Sequence, residues 1–456
     1  MNGNDNHPAS RPAPRRRRDS PAAAGVAPGV LALAFAIAAP CPAWAQALPV
    51  EVQVGTRDIK DFEFDWGRDG EHCPSCNYGA GNSRFSYVDA DDNVWVGYLN
   101  PDNGYFFPTD GKGVLVDSNA VTAEKIGNGP EWMNSALGSQ LVYTRWVDRK
   151  PHTVVNLQLG MARQGGTGWV AGPIPDSVGR VLPVGSDNPG QPNPVIHYQT
   201  FPLRSDPTEL YWRGVYPGAV EVEIPVASSD QAGLTRRWVP KTKDIIITAP
   251  TDAILPGNQS AAAWRQVFLF HADTNAIEQL TFDGVNKYWA SAWHAPEFDN
   301  ELVFVAMVGG DHLNIYRNLP VAGGGYAWQV VKTITTPDAT PYVSSPEAFV
   351  YNGASWVFFS LTSDPNGRNF TRPSLIAMSG IEPEVDNLRL LTSADDPPRA
   401  RRDPEYFITA NGPYLYYNRY LLETDTRPPI SEGVFRVDTQ LGPPAATVAR
   451  GAAPPR

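Results

Sequence analysis

Pro346-Glu347-Ala348-Phe349-Val350-Tyr351-Asn352-Gly353-Ala354-Ser355-Trp356-Val357-Phe358-Phe359 reads as one strand, a turn and a second strand rich in aromatic residues. The flanking residues are mostly apolar, many of them β-branched or aromatic, and the Asn-Gly pair between them is turn chemistry. The same opening recurs in Pro130-Glu131-Trp132, Pro296-Glu297-Phe298 and Pro404-Glu405-Tyr406-Phe407, each followed after a turn by an aromatic-rich strand. The last three openings lie 50 and 58 residues apart, and the 166 residues from 130 to 296 are about three steps of 55. A unit of that length recurring along a chain predicts a β-propeller, because a four-stranded blade buries both faces only between neighbours. Candidate blade starts near residues 85, 130, 194, 243, 290, 345 and 404 count seven blades, with six or five left open by the weak middle starts.

Composition agrees with an all-β chain. The 456 residues hold 44 Pro and 40 Gly, with 13 Trp, 18 Tyr and 18 Phe against 5 Met, which is poor material for a helical bundle. Short alternating runs such as Val94-Trp95-Val96-Gly97-Tyr98, Val267-Phe268-Leu269-Phe270 and Tyr414-Leu415-Tyr416-Tyr417 are bounded by Gly, Pro, Asn or Asp, and no long 3.6-residue period separates them. Ala47–Thr56 alternates well enough to supply the missing outer strand of the last blade and close the ring.

The N-terminus predicts export. Arg15 to Arg18 precede an apolar stretch from about Ala22 to Ala39 and an Ala43-Trp44-Ala45 cleavage pattern, so residues 1–45 read as a signal peptide and the mature chain begins near Gln46. Pro28 and Pro40 break the apolar run, which argues against a transmembrane anchor. Five arginines and two aspartates leave with the signal, moving the formal charge from -11 to -14 and disfavouring nucleic acid or an anionic membrane surface as partner. The layout expected is a single propeller over 46–441, a Pro/Ala-rich tail over 442–456, a monomer, and a periplasmic or secreted location. Cys73 and Cys76, in Cys73-Pro74-Ser75-Cys76, then remain as the only cysteines and predict a local disulfide worth about 2 kcal/mol. A redox pair would want a helix after it, and a metal site with His72 lacks a fourth ligand nearby.

One segment carries a resemblance. Gln266-Val267-Phe268-Leu269-Phe270-His271-Ala272-Asp273-Thr274 leads into Glu278-Gln279-Leu280-Thr281-Phe282-Asp283-Gly284, then Ser291-Ala292-Trp293-His294-Ala295-Pro296-Glu297 and Asn314-Ile315-Tyr316-Arg317. This resembles the repeat of TolB-type β-propellers, in which an outer "QLT" strand runs into a "W-x-P-D-G" turn and an "IY" strand. Glu-Phe replaces the usual Asp-Gly, and the match covers about 60 residues, so the resemblance implies the fold and transfers no activity. As a family comparison it implies a periplasmic platform for protein partners as the alternative to an enzyme.

The candidate chemistry is carboxylate chemistry. Glu131, Glu297, Glu347 and Glu405 occupy equivalent repeat positions, which predicts a ring of carboxylates at one rim of the axial channel. Such neighbours raise one another's pKa unless a cation compensates, and suit a general acid, a Ca²⁺ site or a cationic ligand. A structural alternative is that each acidic residue accepts hydrogen bonds from a neighbouring turn and ties blade to blade. His294 breaks the repeat beside Pro296-Glu297, so Glu297, His294, Glu347 and Glu405 are the expected catalytic residues. Glu131, Trp132, Arg145, His197, Trp212, Arg213 and Trp293 are the expected ligand contacts, the indoles stacking on sugar rings if they are not spent on blade packing. The expected function is therefore binding, and hydrolytic or lyase cleavage, of a glycan or similar small ligand, with a divalent cation as the cofactor to test. Asp89-Ala90-Asp91-Asp92-Asn93 resembles a calcium loop but has Val94 where Gly is needed, and reads as a hairpin turn. No nucleophile elbow, phosphate loop, dinucleotide fingerprint or His-Glu-x-x-His is present.

Overall fold

Successive residues of the strand Ala354–Thr362 point alternately into two different cores, and that alternation builds the molecule. Val357, Phe359 and Leu361 pack with Trp293, Val303, Val305 and Leu313 of the preceding sheet, whereas Phe358 packs with Ile408, Leu415, Tyr417 and Phe435 of the following one. A strand apolar on both faces must sit between two sheets, and a row of such sheets leaves its two end faces uncovered until it closes on itself.

The computed structural model describes residues 48–65, 83–122, 128–148, 156–165, 168–201, 208–228, 235–254, 264–365, 370–383, 387–395 and 397–443. Leu48 onward forms one compact unit of seven antiparallel sheets arranged as a seven-bladed β-propeller. The innermost strands of blades 1 to 7 are Glu63–Phe64, Glu131–Ser135, Arg180–Gly185, Thr235–Trp238, Lys287–Ala295, Tyr342–Tyr351 and Arg399–Thr409. Blade 1 carries a fifth strand, Val114–Asp117, on the same partner as Phe106–Phe107. Among the described residues no helix is long and apolar enough to cross a membrane. The expected signal peptide, the Cys73/Cys76 pair and the tail beyond Pro443 lie outside the described residues.

Ring closure follows the expectation for residues 47–56. Val52–Gly55 pairs antiparallel with Ile430–Asp438 as the outer strand of blade 7, so the N-terminal strand completes the C-terminal sheet. Glu51, just before that strand, is gripped by Arg401, whose side chain is wholly buried. Arg401 donates to both Glu51 oxygens at 2.8 and 2.6 Å, to Asp395 at 2.6 Å and to the Ser374 carbonyl at 2.8 Å, so it clasps the closing strand to blades 6 and 7. Burial alone would raise the Glu51 pKa. The Arg401 guanidinium, the Tyr417 hydroxyl and Arg419 outweigh it and hold the carboxyl below its usual range. Asp89 accepts from the Asp91 and Asn93 amides, the Asn93 side chain and the Trp95 indole, as a hairpin turn requires.

Removing one partner of such a buried pair strands the other, so Arg401→Ala should cost about 3–5 kcal/mol, read as a fall in the urea midpoint. Because the folded Glu51 pKa is depressed, its contribution is present above the unfolded value of about 4.3 and is lost as pH falls through the folded one; the Arg401→Ala deficit should shrink below pH 4.

Candidate functional site

Five innermost strands bend at one equivalent place, on a non-glycine residue in the left-handed region. These residues are Asp61 (φ 49°), Leu182 (55°), Trp289 (51°), Ser345 (48°) and Asp403 (52°). In blades 3, 5, 6 and 7 the pairing register slips there, between Val181 and Val184, Tyr288 and Ser291, Ser344 and Glu347, and Arg402 and Glu405. Each slip is a β-bulge, which twists the strand and re-aims the residues after it. Blade 2 has Gly129 at this place, and for a steric reason: a Cβ there would meet the Asp61 carbonyl at 2.5 Å and its Oδ2 at 2.7 Å. Blade 4 is fixed by a second marker. The indoles of Trp132 and Trp238 both donate at 3.0 Å to the preceding blade, to the carbonyls of Glu63 and Val184, so Arg237 matches Glu131.

Two residues past each bend therefore stand Glu63, Glu131, Val184, Arg237, Ser291, Glu347 and Glu405, one per blade. Side chains from non-adjacent blades can meet only across the axis, and these do. Arg237 of blade 4 reaches past the short Ser291 to pair with Glu347 of blade 6 at 2.5 Å. Asp61 and Asp403, at the bends of blades 1 and 7, are hydrogen-bonded to each other and add two carboxyls.

Besides Arg237, the Arg402 guanidinium acts on Asp61 and that of Arg236 on Glu131, and the carboxyls still outnumber the cations. Burial, then the charges of Glu131, Glu347 and Asp403, hold Glu63 well above the ordinary carboxyl range; burial, then Glu347, Glu63 and Asp403, do the same to Glu405. Asp61 is raised by burial and then by the charge and hydrogen bond of Asp403. Burial lifts Glu131 to about 7, although Arg237 and the Asn128 side chain pull the other way. Glu347 is also raised by burial, with Arg237 opposing. Burial would lower Arg237, but Glu347, Glu405 and Glu131 more than reverse it, so the guanidinium is held charged. Its side chain keeps 37% of its surface accessible, the Glu347 side chain 15%.

Of the expected residues, Glu131, Glu347 and Glu405 meet in this ring. Glu297 does not. The structural counterpart of Glu347 in blade 5 is Ser291, and Glu297 lies six residues further on, about 20 Å along an extended strand, in the hairpin turn Pro296–Phe298. There its carboxylate accepts from the Ser355 amide and, at 2.7 Å, from the Ser355 hydroxyl of blade 6, tying blade to blade. His294 is exposed, with Nδ1 3.0 Å from the Asn300 carbonyl, away from any ring carboxylate.

The expected ligand contacts are mostly packing. Trp132 and Trp293 are 6% and 5% exposed, and the Trp293 indole donates to Ser355 at 3.0 Å. Trp212 packs in the core between blades 3 and 4. Arg145 joins Tyr143 in holding Asp117 of blade 1, at 2.8 and 2.7 Å. Arg213 is buried and donates to the carbonyls of Gly214, Pro175 and Ala219. His197 is wholly buried, accepts at Nδ1 from Arg236 at 3.1 Å, and is kept neutral by burial and by that guanidinium. No set of three or more His, Cys, Asp or Glu among the described residues is arranged to hold a metal ion. Asp61, Glu63, Arg237 and Asp403 belong to the centre and escaped the sequence reading. The signals were there: Asp61-Phe62-Glu63 and Asp403-Pro404-Glu405 share a spacing, and Arg237-Trp238 echoes Glu131-Trp132.

No protein-family model matches the chain, and no curated protein sequence matches it. The similarity that exists is one of fold. The β-propeller domain of Cps50 (Swd1) from Myceliophteria thermophila aligns over 86% of this chain and 98% of its own, at 10% identity and a TM-score of 0.44. TolB from Acinetobacter baumannii aligns over 78% and 79%, at 15% identity and 0.32. An α-L-arabinofuranosidase from Lactobacillus brevis aligns over 55% and 89%, at 12% identity and 0.32. The TolB resemblance is thus a resemblance of architecture.

The raised Glu131 pKa has a consequence for stability. Its contribution is fully present below the unfolded value of about 4.3 and is lost as pH rises through about 7, where a charge must be buried. Glu131→Gln escapes that loss. Its urea midpoint should match the parent at pH 4.5 and exceed it at pH 8.5 by the equivalent of about 3 kcal/mol.

Proposed function

We propose that the protein is an exported propeller that binds a glycan at the axial ring and cleaves a glycosidic bond by acid/base catalysis. The observation that carries this is geometric: both carboxyls are raised by burial with Arg237 opposing, but the Arg237 guanidinium is ion-paired to Glu347 at 2.5 Å and not to Glu131. Glycoside hydrolysis asks for two unlike carboxyls, a protonated one to donate to the leaving oxygen and an ionised one to activate water or attack carbon. Glu131 is the donor and Glu347 the carboxylate. Arg237 positions Glu347 and favours its charged form, and Asn128 orients Glu131 through their side-chain hydrogen bond. With the expected indoles committed to packing, sugar recognition falls to carboxyl–hydroxyl hydrogen bonds around the ring. Residues 1–45 act as the export signal in this proposal, and the folded chain works as a monomer.

A panel of polysaccharides offered to the purified mature chain tests this, with and without divalent metal. On any substrate found, Glu131→Gln should lower kcat about 10²- to 10⁴-fold. Glu297→Gln and His294→Ala should turn over at the parent rate. kcat/KM should fall above pH 7 as Glu131 loses its proton. Full activity in Glu131→Gln, or loss of activity in Glu297→Gln, contradicts the assignment. Capture of a folded protein partner with no turnover of any glycan would make the propeller a platform instead.

A further inference from the structure

Short outer strands, charges, prolines and glycines keep the edge of a sheet from pairing with another chain, and six of the seven blades use them. The outer strands of blades 1, 4, 6 and 7 run to no more than four residues. That of blade 2, Gly168–Pro173, holds two glycines and ends in proline, and that of blade 3, Val222–Ser228, carries Glu223 and Pro225. Blade 5 differs. Its outer strand Tyr326–Thr335 is ten residues long, about 33 Å, and contains no Pro, Gly, Asp or Glu. It pairs with His312–Pro320 and is the last strand of its sheet among the described residues. It has one bulge, at Val331, and one charge, Lys332, which is turned inward. The Lys332 ammonium donates to the carbonyls of Gly380 and Glu382 at 2.8 and 3.1 Å and to the Asn387 side chain at 2.9 Å, so a strand added outside takes no charge out of water. One face of the strand presents Tyr326, Trp328 and Val330 and, past the bulge, Thr333 and Thr335. Trp328 is seated on Phe304 with ring centres 5.0 Å apart, whereas Tyr326 and Val330 are 72% and 46% exposed. Thr333 and Thr335 open onto a cavity of about 330 Å³ whose walls include Asp311 and Asp338, with His312 Nδ1 2.6 Å from the Asp311 carboxylate.

We propose that the outer strand of blade 5 is a strand-addition site for an extended segment of a partner protein, one with a lysine or arginine toward its N-terminal end and β-branched or aromatic residues after it on the same face. The site is independent of the axial ring. Main-chain hydrogen bonds to the edge supply the affinity, and side chains at alternate positions supply the choice of partner. Paired antiparallel, as every strand of this sheet is, the segment lays its later residues beside Tyr326 and Val330 and its early basic residue beside Thr333 and Thr335, at the mouth of the Asp311 and Asp338 cavity. The formal charge of -11 draws a basic segment at long range. It also opposes a second copy of this chain as the occupant, and so does the register. Two copies paired antiparallel would set Tyr326 of one against Thr335 of the other, which brings an aromatic ring to each acidic cavity and a cation to neither.

Fluorescence anisotropy of the mature chain tests this with a labelled peptide as long as the strand, in which one lysine near the N-terminus is followed by alternating valine and threonine. Two counterparts serve as controls, one N-methylated at alternate amides along its pairing edge and one with glutamate in place of the lysine. The lysine peptide should bind and slow hydrogen exchange within Tyr326–Thr335 but not within Val222–Ser228. The N-methylated peptide should bind at least about a hundredfold more weakly, since it loses several main-chain hydrogen bonds, and the glutamate peptide about tenfold more weakly. Val330→Lys puts a charge on the exposed edge and should weaken the lysine peptide about tenfold or more while the urea midpoint stays at the parent's value. Asp338→Asn should narrow the difference between the lysine and glutamate peptides. Absence of binding, equal binding of the N-methylated peptide, parent affinity in Val330→Lys, or protection that appears on another strand overturns the strand-addition site. Equal affinity for the lysine and glutamate peptides overturns the basic segment. A dimer of the free chain in sedimentation that Val330→Lys converts to monomer gives the edge to a second copy and overturns the partner segment.

Discussion

The left-handed bend in the innermost strands is the constraint on which the centre depends. It costs backbone energy in five blades, on residues as unsuited to positive φ as Leu182 and Trp289. What it achieves is orientation: in the blades that carry it, the residue two places past the bend is turned toward the axis, and sheets of differing sequence present their side chains to one small volume. Whatever occupies those places is held together by the closure of the ring and not by its own attractions. That is how like charges come to be neighbours. The Arg401–Glu51 clasp matters for the same reason, since it holds the strand that keeps the ring shut.

The two ionic centres of the molecule are built on opposite principles. Around Arg401 the charges balance, the geometry is bidentate, and the carboxyl of Glu51 is driven below its ordinary pKa. Around Arg237 carboxyls outnumber cations, and Glu63, Glu131 and Glu405 are all driven above theirs. A buried balanced pair is a structural device. A buried imbalance spends stability, and its natural use is to hold protons, or a cation, that the protein then exchanges.

Much of the fold was legible because strand alternation and blade spacing are written in local sequence. The seven sheets and the closing strand near residue 50 came from those signals alone. Three expected blade starts, near 85, 194 and 243, fall on the second strand: the innermost strands Glu63–Phe64 and Thr235–Trp238 are too short to show alternation, and Arg180–Gly185 is interrupted between Val181 and Val184. The site was legible in part. Pro-Glu marks the ring where proline follows the bend, as at Glu347 and Glu405, but in blade 5 the same pair falls in the hairpin, and only the pairing register tells them apart. Arg237 and the Asp61–Asp403 pair leave only a two- or three-residue echo in the sequence; that they meet depends on contacts between blades distant in sequence.

The central claim is that ring closure holds several glutamates above the ordinary carboxyl range, Glu131 among them at about 7. Carboxyl-selective ¹³C NMR of glutamate-labelled protein reads this directly. In the folded chain the Glu131 resonance should titrate near 7 and those of Glu63 and Glu405 above the ordinary carboxyl value, assigned by Glu63→Gln, Glu131→Gln and Glu405→Gln, and urea should return them all to the ordinary value. If every glutamate of the folded chain instead titrates near the ordinary value of about 4.3, the carboxyls do not share a desolvated centre and the account fails.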